Sequence, residues 1–149
     1  MKKSTVLEII CVLLILLFVY TAASKFIHFD NFRTFVVGQT PLLRPFANVM
    51  AVVIPSSELI AVALLLVPHL RKWGLYASFT LMATFTLYVL YALYLAPKVP
   101  CACGGIIRQM TWKQHLLFNS VFTLSALTGI WLHKQKTVDN SEVRKVQFT

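Results

Sequence analysis

Four apolar runs, each about as long as a lipid bilayer is thick, constrain this chain more than any other feature. They cover residues 4–24, 46–67, 73–95 and 115–132. A helix rises about 1.5 Å per residue, so roughly 20 residues cross the ~30 Å hydrocarbon layer. Lipid offers the backbone no hydrogen bonds, and a helix satisfies its own. Only 13% of the residues are charged, about half the share of an ordinary soluble domain. The chain therefore reads as all-α, an integral membrane four-helix bundle.

The net charge of +9 raises the question of nucleic acid. The cations are scattered beside the apolar runs, which is the pattern that orients spans in a bilayer. The expected partner is the lipid bilayer, and no nucleic acid. Lys2, Lys3, Arg71, Lys72, Lys134, Lys136, Arg144 and Lys145 fall on one side, and Lys25, Arg33, Arg44, Lys98, Arg108 and Lys113 on the other. The Lys2-Lys3 start and the tight Arg71-Lys72 turn favour both termini in the cytoplasm. Segments 25–45 and 96–114 then face outward. This is the layout of a protein of the bacterial cytoplasmic (inner) membrane. Residues 1–136 read as the membrane domain and 137–149 as a polar cytoplasmic tail.

Local signals support the boundaries. Pro41 and Pro45 precede the second span, Pro68 follows it, and Pro97 and Pro100 follow the third. Thr111 and Gln114 have capping-box spacing, which makes Thr111 the expected N-cap of the fourth. Met1-Lys2-Lys3, the first apolar run and Thr21-Ala22-Ala23 also resemble a cleavable signal. The run is long for one, and three more spans follow, so a retained helix is expected.

Pro100-Cys101-Ala102-Cys103-Gly104-Gly105 holds the one cluster with obvious chemistry. It lies in the expected outer loop between helices 3 and 4, where thiols are paired or open to attack. A disulfide between Cys101 and Cys103 closes a very small ring, and strained, exposed disulfides are the labile ones. Lys98 and Arg108 flank the pair and favour a thiolate. Three readings remain open: redox exchange with a partner thiol, binding of Cu(I) or Zn(II), and a structural loop staple. Two thiolates do not close a zinc site, so metal would also need His28 and His115; no metal site is assigned. Cys11, within the first span, reads as a packing residue.

Glu58 lies near mid-bilayer, where an ionisable group must be paired, neutral or in a cavity. Ile54-Pro55-Ser56-Ser57-Glu58 also puts a proline inside the span, and Ser56 or Ser57 can help satisfy the opened turn. Glu58 reads either as a proton relay or polar pocket beneath the cysteine loop, or as a protonated carboxyl hydrogen-bonded to a neighbouring helix, such as at Asn119 or a tyrosine. Lys25 ends the first span and either snorkels outward, the favoured reading because its axial distance from Glu58 looks large, or reaches inward to pair with Glu58. His115 and Asn119 are four apart and share a face. Tyr88, Tyr91 and Tyr94 read as an aromatic belt more readily than as a quinone pocket. Phe29, Phe32 and Phe35 can line a short interfacial helix that stops at Gly38, either a surface anchor or a lid.

These features in this order resemble the MauE/DoxX-like group of redox-associated membrane proteins. The resemblance rests on Ala23-Ser24-Lys25 followed by Phe32 and Phe35, on the Ile54–Glu58 turn, on the Cys101-Ala102-Cys103-Gly104 loop, and on four spans. It covers the chain to about Lys136. It implies a membrane bundle linked to extracytoplasmic thiol–disulfide chemistry, with Lys25, Glu58, Cys101 and Cys103 carried over. The MauE branch implies maturation of the disulfide-rich small subunit of methylamine dehydrogenase, beside a thioredoxin-like partner. A quinone is a candidate electron acceptor, and no cofactor is assigned. A self-contained quinone-coupled oxidase would need a second outer cysteine pair, so a partner-dependent oxidoreductase is expected. The alternatives are a non-enzymatic accessory subunit and a Cu/Zn-handling protein using the same cysteines.

Overall fold

A computed structural model describes residues 3–37, 44–94 and 112–147. Every described element is helical. α1 runs Lys3–Ile27. α2 begins at Phe29–Asn31 and continues as a wider π-helical turn over Phe32–Val37. A 3-10 turn at Arg44–Phe46 leads into α3, Ala47–Leu66. α4 is Arg71–Tyr94 and α5 is Trp112–Gln147. Among the described residues, four stretches are long and apolar enough to cross a membrane: Ser4–Ile27, Arg44–Leu66, Arg71–Tyr91 and Lys113–Val138.

The four long helices pack in the ring order α1, α3, α4, α5, each against two neighbours. One stripe of each faces inward. On α1 it is Leu7, Cys11, Leu14, Phe18 and Ala22, and on α3 it is Ala51, Pro55, Glu58, Ala61, Val62 and Leu65. Both follow the three-and-four spacing of a helix seam. The remaining apolar side chains point outward, Leu16, Ile60, Leu87, Leu117 and Leu124 among them. Only 22–39% of each apolar window is buried inside the bundle. A surface this apolar would drive aggregation in water, and it is what lipid requires.

Close helix contacts rest on small and hydroxyl-bearing residues. At Gly74 a Cβ would lie 2.7 Å from the Leu65 backbone nitrogen, so α3 and α4 nearly touch there. Their connection is short: Val67 is extended ahead of Pro68, and the Leu70 amide donates to the Val67 carbonyl (3.0 Å). Thr86 and Thr123 join α4 to α5 with hydroxyls 3.0 Å apart. One donates to the other, which keeps its own proton for its helix, at the Met82 or the Asn119 carbonyl.

α3 continues through Pro55. Ser57, rather than Ser56, donates to a backbone carbonyl, that of Ile54, at 2.7 Å. α5 outruns its apolar stretch and stays helical through the polar residues to Gln147. No proline or glycine interrupts residues 130–147, so nothing in the backbone ends the helix where the apolar residues end.

Candidate functional site

Lys25 and Glu58 form an ion pair inside the bundle, with Nζ 2.6 Å from Oε1. The Glu58 side chain is fully buried and that of Lys25 is 17% exposed. The expectation that Lys25 snorkels outward is overturned, and the reason is directional. Helical side chains lean toward the N-terminus of their own helix. α1 and α3 run in opposite senses, so Lys25 leans into the bundle while Glu58 leans up to meet it. The carboxyl thus has Lys25 as its ion-pair partner.

The ammonium group gathers side chains from every helix around it. It lies 5.8 Å from the Phe32 ring centroid on α2 and 5.2 Å from that of Phe85 on α4, inside the range of cation–π attraction. Its charge also acts on the imidazole of His115, which is half-buried on α5. Asn119, one turn further along α5, is buried. Thr21 precedes Lys25 by one turn on the same face and lies near the carboxyl. Its hydroxyl is nonetheless turned to the Phe18 carbonyl (3.3 Å). Glu58 Oε2 meets no hydrogen-bond donor among the described residues.

α2 closes this end. Phe32 is buried against Ala51 of α3, with Phe29, Met50, Ile54 and Tyr88 packed around it. Arg33 reaches Asn48 on α3 and Asp30 on its own helix, each at 3.5 Å. The short helix expected over 29–35 is therefore docked on the bundle through Phe32, with Lys25 beneath it. Gly38, its expected stop, lies outside the described residues. The tyrosine stripe divides: Tyr88 packs inward, while Tyr91 and Tyr94 are exposed as a belt would be.

Cys101 and Cys103 lie outside the described residues, as does the expected N-cap Thr111. His28 is exposed. Among the described residues no three His, Cys, Asp or Glu side chains cluster as metal ligands. Cys11 is buried in the α1 core, as a packing residue would be.

Sequence reasoning missed Thr21 and Phe85. Thr21 was open to it, being four residues from Lys25 and hence on one face. Phe85 carries no local signal, since its place beside Lys25 follows from how α4 packs.

The site can hold one ammonium and one carboxylate out of water, and a proton can pass between them. Residues 3–132 match the family described as Methylamine utilisation protein MauE. No curated protein and no solved structure matches the chain.

Proposed function

This chain belongs to the MauE family, and from that premise we propose that it supports thiol–disulfide exchange during maturation of extracytoplasmic proteins. With its four apolar helices it is an integral membrane protein associated with methylamine utilisation. The observation that carries the finer reading is the Cys101-Ala102-Cys103-Gly104 element between the third and fourth spans of a chain in this family. In this reading the membrane is the cytoplasmic one, and segments 25–45 and 96–114 face outward.

In this reading a thiolate of Cys101 or Cys103 attacks a disulfide sulfur of a thioredoxin-like partner. One S–S bond breaks as the mixed disulfide forms, and the partner's leaving sulfur takes up a proton. The second cysteine then displaces the partner. The pair ends oxidised and the partner reduced, with two electrons exchanged and none left over. Run toward a client dithiol, the same steps deliver a disulfide. Lys25 and Glu58 join α1 to α3, and His115 and Asn119 lie in the first turns of α5, from where they support the exchange in this reading.

Trapping tests the proposal. A Cys101→Ser or Cys103→Ser chain in cells should accumulate a disulfide-linked adduct with an envelope protein, resolved by reductant and lost in the double variant. The proposal fails if wild-type Cys101 and Cys103 keep one redox state whatever envelope oxidant is supplied, read by alkylation mass shifts. Full function of the double serine variant would favour a non-enzymatic accessory role.

A further inference from the structure

The bundle end opposite Lys25 carries a cationic cluster that thiol chemistry does not use. Arg71 and Lys72 open α4 directly after the tight turn. His133 and Lys136 stand three residues apart on α5, which packs along α4. Gly129 of α5 packs against Leu75 of α4, and Arg71 and His133 each lie about one helical turn beyond that contact toward the same end, where the charges of Arg71, Lys136 and Lys72 act on the His133 ring. α1 borders the same place: Lys136 Nζ lies 3.5 Å from Ser4 Oγ, and the Arg71 charge reaches Cys11.

Nothing described neutralises this cluster. The ion pairs among the described residues are Lys25–Glu58 and Arg33–Asp30, both involving the other end of the bundle. Glu8 on α1 is exposed and pairs with none of the four. The Arg71 Nε is buried and meets no acceptor among the described residues. Buried guanidinium nitrogens are ordinarily satisfied, so an acceptor from outside the described chain fits there. Exposed indoles mark the level: Trp73 follows the Arg71-Lys72 pair, with Lys72 Nζ 5.9 Å from its ring centroid, and Trp131 precedes His133. Indoles at a span's end sit where acyl chains give way to headgroups.

We propose that Arg71, Lys72, His133 and Lys136 form a binding site for the phosphate of an anionic phospholipid headgroup, between the start of α4 and the later part of α5. The guanidinium supplies directed donors to phosphate oxygens, and the two lysines supply charge. Basic recesses between spans recognise such headgroups in this way. The site is independent of the cysteine chemistry and stands or falls separately from it.

Native mass spectrometry of the full chain in neutral detergent tests this, with equal amounts of phosphatidylglycerol and phosphatidylcholine offered. The wild type should retain the anionic lipid in preference, and the preference should fall about fivefold for each cation removed. Lys72→Gln/Lys136→Gln changes two exposed side chains and leaves the core intact. Arg71→Gln, half-buried, is read alongside helix content by circular dichroism. Lys134→Gln at the same end and Lys113→Gln at the other should leave the preference unchanged. An equal loss in either of these, or no loss in the double variant, would overturn the site in favour of diffuse attraction. Inorganic phosphate alone separates the two sources. If it displaces the lipid and raises the melting temperature as much, the ligand is soluble phosphate and the lipid assignment is wrong.

Discussion

Lys25 and Glu58 depend on each other in a way that single substitutions expose. Removing one charge strands the other in a low-dielectric interior, which typically costs about 3–5 kcal/mol, whereas replacing both with apolar groups is often neutral or better. Lys25→Met leaves the fully buried Glu58 without its partner, and the variant should melt well below wild type in detergent. Lys25→Met/Glu58→Met should recover most of that loss. The melting temperatures of the singles and the double give the coupling directly. Simple additivity would mean that the pair contributes nothing as a pair. Phe32 and Phe85 extend the argument, since both rings lie within cation–π range of the ammonium.

At the scale of elements, the α3–α4 contact and the docking of α2 make separate predictions. A methyl at Gly74 meets backbone atoms of Leu64 and Leu65 at 2.9 and 2.7 Å, and backbone cannot swing aside. Gly74→Ala should therefore destabilise the bundle by roughly 1–3 kcal/mol, the usual cost of overpacking. At Gly129 the nearest atoms are side-chain ends, Leu75 Cδ2 at 2.9 Å and Ile10 Cγ2 at 3.3 Å. These can yield, so Gly129→Ala should be the milder change. Chemical or thermal unfolding of the two variants side by side decides the order. Phe32→Ala removes the side chain that seats α2 on Ala51. Amide exchange should then speed up across Phe29–Val37 and stay slow around Leu14, whose core packing is untouched. Equal protection in both proteins would show that α2 is held by something other than Phe32.

The elements themselves were largely legible. Apolar length alone marks four spans, because lipid allows few other folds. The Lys25–Glu58 pairing was harder to read, because axial rise counts Cα positions and ignores the lean of side chains along antiparallel helices. The helical reach of α5 beyond its apolar stretch was not legible for another reason: loss of hydrophobicity ends a span, while a helix runs on until a backbone breaker or cap ends it. Phe85 was out of reach, since packing between distant segments decides its neighbours.

On the scale of the whole molecule, orientation decides whether the proposed chemistry and the proposed lipid site are mutually consistent. Ion pair and cation cluster occupy opposite ends of one bundle. Lys2-Lys3 and Arg71-Lys72 argue that the cationic end faces the cytoplasm, where anionic headgroups are attracted to juxtamembrane basic residues. In that orientation Cys101 and Cys103 would lie on the oxidising side, where the proposed exchange has partners. A membrane-impermeant maleimide, applied to intact cells after mild reduction, should label Cys101 and Cys103 from outside. Cys11, buried in the α1 core, should stay unlabelled until the protein is denatured. A fluorescent-protein reporter fused after Thr149 should glow, as it does when folded in the cytoplasm, and an alkaline phosphatase at the same point should stay inactive. The reversed pattern would put the cysteines among reduced thiols and the cation cluster outside, and would remove the basis of the exchange reading.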